Sequence, residues 1–267
     1  MSGTSATLDT LVRPAAPRRT LVARTIAIRE LDAATRDAAF ALFRGAYEGT
    51  SRERFEHDFA EKQHVILLHD RESGALKGFS PVLVRAVDSP RGPATVVFSG
   101  DTVIDREYWG QKQLQLAFAR LLARLKLAAP ARPLYWFLIS KGYRTYLLLA
   151  NAFPRAVPRA GSAEDPRLRA LLDAMASERF GGQYDASAGV VRYDTPHERV
   201  RDGVAPVTER ALANRHVRFF VARNPDHAAG VELACLADVR LRDLARAMLR
   251  FSAVRAWRAL GLGGTAR

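Results

Sequence analysis

The first half of the chain alternates between short stretches with a two-residue hydrophobic period and longer stretches with a helical period. Apolar positions at every second residue indicate a strand with one buried face, whereas apolar residues three and four apart indicate a helix. The patterns predict a strand, two helices, three strands, a helix, a strand and a helix. Their ranges are 24–29, 33–47, 51–62, 64–70, 77–87, 94–105, 111–127, 134–139 and 143–152.

The three consecutive strands between residues 64 and 105 are joined by short segments rich in Gly, Pro, Ser and Asp. Such residues favour tight turns, so these strands are expected to form an antiparallel meander. Asp32 and Ser51 lie at the N-termini of the helices predicted over 33–47 and 51–62, where N-caps are needed. Their side-chain oxygens would accept hydrogen bonds from otherwise unpaired amides.

The second half has a less regular pattern. It predicts a helix over 167–180, a strand over 189–193, and strands over 217–223 and 231–236 joined by a hairpin loop at 224–227. Asp238 is expected to cap a last helix over 239–260, with an apolar stripe opposite its arginines. That stripe suits packing on the core and equally suits a peripheral membrane contact.

These elements together predict an α/β (α+β) protein with a mixed, mostly antiparallel sheet flanked by helices. We expect a disordered basic tail over 1–24 and a core over 25–155. An extension over 156–267 would complete the sheet and end in a basic amphipathic helix. The tail lacks the apolar stretch of a secretory signal, and no apolar run approaches the roughly 18 residues of a membrane span, so a soluble, cytoplasmic protein is expected.

The composition limits which kinds of stabilising group and functional site the chain can contain. With 48% hydrophobic residues the 267-residue chain can bury a sizeable core. Its single cysteine, Cys235, lies in an apolar run and is expected to be a buried thiol, which excludes an internal disulfide. The six histidines include no pair at metal-ligand spacing, so no metal site is expected.

The formal charge of +13 is concentrated toward the two ends of the chain. Such ends attract phosphates, anionic lipid or an acidic carrier protein by Coulomb steering, although arginines also serve simply to solvate an exposed helix. The basic residues do not interleave with an aromatic platform or form a known module. They therefore do not favour nucleic-acid binding.

One local motif stands out at the end of the third strand of the meander. The strand enters a bend at Glu107, Tyr108, Trp109 and Gly110, and a long helix begins at once. Together with the order of elements, this bend resembles the GNAT acyltransferase superfamily over residues 26–153, about half of the chain. In that family the amides of the bend bind the pyrophosphate of an acyl-thioester donor, because a helix N-terminus favours an anion.

The resemblance implies which residues would bind the donor. They are Val103, Ile104, Trp109, Gly110, Gln111 and Lys112. The motif also departs from the family pattern, since Lys112 occupies the second glycine position and Glu107 stands where Gln or Arg is usual. Lys112 could supply a phosphate-binding charge, whereas Glu107 would repel a phosphate unless it points away.

The resemblance also implies catalytic residues. The family's next helix often carries a tyrosine that protonates the departing thiolate, and Tyr143 and Tyr146 are the two candidates, unless they are core aromatics. Asp101, or less favourably Asp105, would lie on the fourth strand where a carboxylate can accept the proton of an attacking amine. Such a carboxylate needs a pKa raised by burial.

The sequence therefore predicts an N-acyltransferase that moves an acyl group from acyl-CoA or an acyl carrier protein to an amine on a small-molecule or lipid-like acceptor. The alternative is a non-catalytic ligand- or partner-binding protein of the same fold whose donor bend has degenerated. No motif of a serine hydrolase, a P-loop enzyme or a dinucleotide-binding protein occurs in the chain.

Overall fold

The structure, a computed structural model, describes residues 19–193, 199–200 and 207–259. The strands are β1 (Leu21–Ala27), β2 (Tyr47–Glu48), β3 (His64–Asp70), β4 (Leu76–Ser89), β5 (Gly92–Ser99), β6 (Val103–Ile104), β7 (Leu134–Ser140), β8 (Ala156–Val157), β9 (Tyr184–Asp185), β10 (Val190–Val191), β11 (Arg199–Val200) and β12 (Glu232–Asp238). The α-helices are α1 (Ala33–Ala46), α2 (Arg52–Ala60), α3 (Gln113–Ala128), α4 (Tyr143–Ala152), α5 (Pro166–Phe180), α6 (Glu209–Leu212), α7 (Arg215–Arg223) and α8 (Leu241–Ala259).

A single large sheet organises the described part of the chain. Its strands follow the order β1-β3-β4-β5-β7-β12-β10-β9, with β6 added beside β4 and β8 beside β12. The β5–β7 pair is parallel, and the other pairs of this sheet are antiparallel. The predicted class, a mixed and mostly antiparallel sheet flanked by helices, is confirmed.

Helices cover both faces of the sheet. The side chains of α3, α4, α7 and α8 form one hydrophobic core with the first face. On the second face, α1 and α2 pack at one end and α5 packs at the other. The gap between these two groups on the second face leaves room for an opening in the middle of the sheet.

Most elements of the first half occur where the hydrophobic pattern predicts them. The two N-caps are confirmed, since Asp32 accepts from the amide of Thr35 and Ser51 accepts from the amide of Arg54. The meander of β3, β4 and β5 is also confirmed. β1 begins at Leu21, and residues 1–18 of the predicted tail lie outside the described residues.

The strand predicted over 94–105 is wrong in its extent. β5 ends at Ser99, and after three residues β6 resumes pairing with β4 at Gly78 and Phe79. Three residues of this segment therefore stand opposite only two of β4, which is the arrangement of a β-bulge. One of those two is Pro81, which has no amide to donate to a ladder.

The strand predicted over 217–223, and with it the hairpin, is wrong. These residues belong to α7, where Asn214 caps the helix through a 2.9 Å bond from the amide of His216. Val217 and Phe220 are buried on one side of the helix, three residues apart, as a helical period requires. The turn residues after Asn224 connect this helix to β12 instead of joining two strands.

The last helix begins at Leu241, and its predicted cap is wrong. Asp238 belongs to β12, and its carboxylate pairs with Arg91, Arg155 and Arg240. Residue 260, the predicted end of this helix, lies outside the described residues. None of the helices within the described ranges combines the length and apolar character that crossing a bilayer requires.

Close packing around the bulge gives a testable consequence at Gly78. A Cβ atom there would lie 2.7 Å from the backbone oxygen of Val103 and 3.2 Å from the Cα atom of Ile104. Since both atoms are backbone, Gly78→Ala is expected to displace β6 and lower the free energy of unfolding by about 1–3 kcal/mol. Urea unfolding measures this.

Gly45 provides the matched control for that substitution. It lies in α1, and a Cβ atom there would meet nothing within 4 Å. Gly45→Ala is expected to leave stability unchanged or to raise it by up to about 1 kcal/mol, because alanine is the better helix former. Equal effects of the two substitutions would contradict the close approach at Gly78.

Candidate active site

The site is created where two parallel strands part. β5 and β7 are paired from Thr95 and Leu134 as far as Ser99 and Leu138. Beyond that point the chain after β5 turns away through the bulge to pair with β4, while β7 continues along β12 to Ser140. Peptide groups along both sides of the gap are thereby released from the sheet ladder.

A cleft of about 1150 Å³ opens at this gap. Residues 99–104 line one side, and residues 139–145 line the other. The cleft extends on the first face of the sheet to the start of α3 and to α8, and on the second face to Tyr47 and to Glu232 of β12. The cleft is therefore lined by residues from both faces of the sheet.

The bend before α3 forms one end of the cleft, with residues 109–112 in its wall. Gly110 has a φ of 84°, a left-handed conformation that glycine adopts without strain. Within the described residues, the N-cap side chain of α3, which begins at Gln113, makes no capping hydrogen bond. The amides of a first helical turn have no partner inside the helix, and the helix dipole adds positive potential at this end.

The bend is held in place by hydrogen bonds to three separate strands. Trp109 Nε1 donates to the carbonyl of Ile104 at 2.8 Å, and the Tyr108 hydroxyl donates to Asp70 Oδ2 at 3.0 Å. Gln111 Oε1 accepts from the amide of Leu21 in β1 at 2.9 Å. The side chain of Gln111 is therefore used for anchoring the bend, and its predicted role in donor binding is limited to its backbone.

The Asp70 carboxylate is the fixed point of this anchor. Hydrogen bonds from the amide and the hydroxyl of Ser73, together with the Tyr108 hydroxyl, lower the pKa of Asp70 to about 2. Asp70 therefore stays ionised and able to accept the bond from Tyr108 down to acidic pH.

The two departures from the family motif have different outcomes. Glu107 forms an ion pair with Arg19 and is not among the residues that line the cleft. Lys112 does line it, directly before the first turn of α3. Asp105 is paired with Lys77 at 3.0 Å and also lies outside the cleft wall. The negative charge at Glu107 is thus neutralised, and a lysine stands in place of the missing glycine.

The two candidate tyrosines occupy different environments. Tyr143 lines the cleft at the first position of α4. Tyr146 is fully buried against Phe219 and Phe220 of α7 and does not line the cleft. Burial raises the pKa of Tyr146, which opposes its ionisation. Of the two, only Tyr143 is placed where it could protonate a group bound in the cleft.

Asp101 lies in the cleft wall. The prediction that it belongs to a strand is wrong. Asp101 occupies the bulge with a φ of 48°, a conformation that few residues other than glycine adopt and that Asp tolerates better than most. Burial raises the pKa of two other carboxyl groups, Asp58 and Glu232, and the negative charge of Asp101 adds to both increases. Asp101 is therefore one member of an acidic group on the second face of the sheet.

Another member of that group, Glu232, was missed by sequence reasoning. Its carboxylate lies 3.2 Å from Lys141 Nζ and accepts a 3.0 Å hydrogen bond from the Tyr193 hydroxyl. The side chains of Lys141 and Glu232 are each only 8% exposed, and both residues line the cleft. Lys141 Nζ also lies 5.3 Å from the centre of the Tyr47 ring.

Burial raises the pKa of Glu232, although Lys141 and the Tyr193 hydroxyl oppose that shift. A carboxyl group of this kind can exchange a proton nearer neutral pH than an exposed glutamate. The sequence did carry a signal for it, because Glu232 is the one charged residue in the apolar run from Val231 to Ala237. A lone charge in a buried strand is an uncommon residue choice that needs partners.

A small apolar pocket of about 60 Å³ adjoins the cleft on the first face. It shares Ser99, Leu114 and Thr145 with the cleft and ends against aromatic and aliphatic side chains. These side chains include Phe118, Leu122, Trp136 and Phe153. The space suits a short alkyl group better than a polar one.

The structure also bears on the predicted buried thiol and on possible metal ligands. Cys235 is fully buried in β12, as predicted, and burial raises the pKa of its thiol. Within the described residues, no group of three or more His, Cys, Asp or Glu side chains is arranged to hold a metal ion.

No family model matches the sequence, and no curated protein matches it either. Solved structures with partial similarity include a probable N-acyltransferase from Enterococcus faecalis, 19% identical over 48% of this chain and 31% of that chain, with a TM-score of 0.36. A GNAT family N-acetyltransferase from Escherichia coli in complex with CoA is 17% identical over 48% of this chain and 67% of that chain, with a TM-score of 0.35. An N-acyl amino acid synthase from uncultured soil microbes is 16% identical over 51% of this chain and 80% of that chain, with a TM-score of 0.33.

The chain spans less than one third of the Enterococcus protein, and at these identities and TM-scores the likenesses do not establish a shared activity. The class of the protein comes from its own architecture. Its order of elements and the gap between β5 and β7 give the described part of the chain the architecture of a GNAT-like fold, a mixed and mostly antiparallel sheet flanked by helices.

Proposed function

We propose that the protein is an N-acyltransferase that moves an acyl group from a phosphopantetheine thioester, acyl-CoA or acyl carrier protein, to a primary amine. The observation that carries the proposal is the parting of β5 and β7 next to an uncapped helix N-terminus. The parted strands offer backbone groups to the narrow pantetheine arm of the donor, and the helix N-terminus beside them can bind its phosphates.

The donor would occupy the part of the cleft on the first face of the sheet. Its phosphates would lie at the start of α3, near Gly110 and Lys112, and its pantetheine arm would follow the released backbone at 100–104. Val103 and Ile104 would contribute main-chain groups to this arm. The alkyl end of a short acyl group would enter the small apolar pocket.

The acceptor would approach from the second face, where Glu232 and Asp101 line the cleft. An amine is cationic in water and must lose a proton before its nitrogen can attack a carbonyl carbon. We assign this proton to Glu232, directly or through water, because its buried carboxyl is better matched to the task than Asp101. Asp101 would attract and orient the cationic amine.

The transfer itself forms one bond and breaks one. The amine nitrogen bonds to the thioester carbonyl carbon, and the carbon–sulfur bond then breaks. The proton that Glu232 took from the ammonium group before the attack passes to the solvent. After the attack the nitrogen loses a second proton, and the departing thiolate takes the hydroxyl proton of Tyr143. The second proton from the nitrogen then restores the Tyr143 hydroxyl through water. The products are an amide and a free thiol, with one net proton released.

The proposal predicts that the protein binds CoA and releases its thiol. CoA at about 100 times its dissociation constant should raise the free energy of unfolding by roughly 2.7 kcal/mol, which thermal unfolding detects. Incubation with acetyl-CoA or palmitoyl-CoA and a panel of primary amines should then produce free thiol, measured with a thiol-reactive dye. The small pocket favours the shorter donor.

The outcomes separate the two hypotheses. Stabilisation by CoA without amine-dependent thiol release from either donor would support the non-catalytic binding protein and contradict the transferase. Absence of stabilisation by CoA, acetyl-CoA and phosphopantetheine alike would contradict the donor site itself.

A further inference from the structure

The C-terminal helix α8 forms a wall of the donor cleft. It packs on α3 and α4, the two helices that flank the first-face side of the gap. Asp243, Arg246, Ala247 and Arg250 line the cleft, and their spacing of three, four and seven residues places them on one side of α8. The extension thus contributes directly to the site that the core opens.

The charges on this wall are unequally compensated. Asp243 is paired with Arg155 at 2.7 Å, and its side chain is 1% exposed, so it presents little free negative charge. Arg246 and Arg250 are exposed, and in the part of the chain that the structure describes neither has a carboxylate within 4.0 Å. The helix therefore presents two guanidinium groups to the cleft.

Other parts of the cleft wall also carry cations. The Arg144 guanidinium lies 4.6 Å from the centre of the Trp109 ring, which orients it beside the bend, and it forms no ion pair with any described residue. Lys112 lies three residues beyond Trp109 in the same wall. Cations that line one cleft raise its positive potential and favour an anion there.

We propose that Arg246 and Arg250 of α8 form a second phosphate-binding surface, which together with Lys112 and Arg144 binds the phosphate groups of the pantetheine-bearing donor. This inference rests on the proposed function. Guanidinium groups bind phosphate oxygens in a bidentate manner and remain charged at all physiological pH values. They would compensate for the glycine that Lys112 replaces, so the extension would be needed for donor binding.

Calorimetric titration of the full chain with CoA, 3′-dephospho-CoA and 4′-phosphopantetheine tests this. The double variant Arg246→Gln/Arg250→Gln is expected to weaken CoA binding about 10- to 100-fold, with a shallower dependence of affinity on salt. The control is Arg242→Gln, which removes the same charge from the same helix at a residue outside the cleft wall. It should change affinity less than about twofold, since the rim charge makes no ligand contact.

The three ligands identify which phosphate the arginines hold. Loss of the preference for CoA over dephospho-CoA in the double variant would assign them to the ribose phosphate. An equal weakening of CoA and dephospho-CoA would assign them to the pyrophosphate, and an equal weakening of all three ligands would assign them to the phosphate that a carrier protein also presents. Each of these results supports the proposal.

Two other results overturn it, and they are distinguishable. If the wild type binds CoA and the double variant binds it equally well, this inference fails while the proposed transferase stands. If the wild type binds none of the three ligands, both fail. An unchanged unfolding temperature of the ligand-free variant confirms that a weakened affinity reflects the site and not the fold.

Discussion

Replacing Glu232 by glutamine is expected to lower amine-dependent thiol release from acyl-CoA by about 10²- to 10⁴-fold, the usual contribution of a positioned acid or base. Glutamine has nearly the same shape and can still bond to Tyr193, but it cannot accept a proton. CoA binding should be unchanged, because Glu232 lies on the second face of the sheet, away from the proposed phosphate end. Thiol release and calorimetric titration measure the two quantities.

The dependence of the rate on pH provides an independent readout. Because burial raises the pKa of Glu232, the wild-type kcat/KM is expected to rise with pH through that raised value, as the carboxylate becomes available as a base. Lys141, Tyr193 and Asp101 are the neighbouring groups that set this value. The glutamine variant should lack this rise, whereas a residue of merely structural importance would leave the shape of the profile unchanged.

A matched control for Glu232 lies on the same side of the sheet. Glu178 of α5 is 59% exposed, pairs with Arg85 and does not line the cleft. Glu178→Gln is expected to retain the wild-type rate. Activity of Glu232→Gln close to that of this control would remove Glu232 from the mechanism and return Asp101 as the candidate base.

Replacing Lys141 by methionine is expected to lower the free energy of unfolding by about 3–5 kcal/mol near pH 8, where Glu232 would be left as a buried charge without its cation. Both side chains of the pair are 8% exposed, so water cannot take over the role of Lys141. Urea unfolding measures the loss. The double variant Lys141→Met/Glu232→Gln should regain most of it, because no charge is then left unpaired.

The sign of the pH dependence follows from the raised pKa of Glu232. A carboxyl group whose pKa is higher in the folded state binds its proton more tightly there, so its stabilising contribution is present at low pH and is lost as pH rises through the folded value. Removing Lys141 raises that value further. The loss in Lys141→Met should therefore be smaller at pH 5 than at pH 8, and a loss that is independent of pH would contradict the ion pair.

The order of elements in the first half was predictable from the sequence because it depends on local chemistry. The helical period, the caps at Asp32 and Ser51 and the turn-rich links of the meander act between residues close in the chain. The bend at Trp109 and Gly110 was predictable for the same reason, since in the sequence a glycine stands shortly before a long stretch of helical period.

The predictions failed where the conformation depends on segments that are distant in the sequence and adjacent in the fold. The bulge after Ser99 depends on the pairing of β6 with β4 and on Pro81 opposite it, which lies in a different strand. The segment after Asn214 contains β-branched and aromatic residues that suit a strand, but packing of Phe220 against Tyr146 of α4 favours the helix.

By itself, the sequence determined the class of fold, the position of the bend before α3, the buried thiol at Cys235 and the two candidate tyrosines, Tyr143 and Tyr146. Only the tertiary structure separated Tyr143 from Tyr146, joined Lys141 to Glu232 and brought the arginines of α8 into the same cleft wall as the bend. Helices and turns are specified by residues a few positions apart. A cleft is assembled from strand ends and helix faces that are distant in the chain, so its chemistry depends on which segments the sheet brings together.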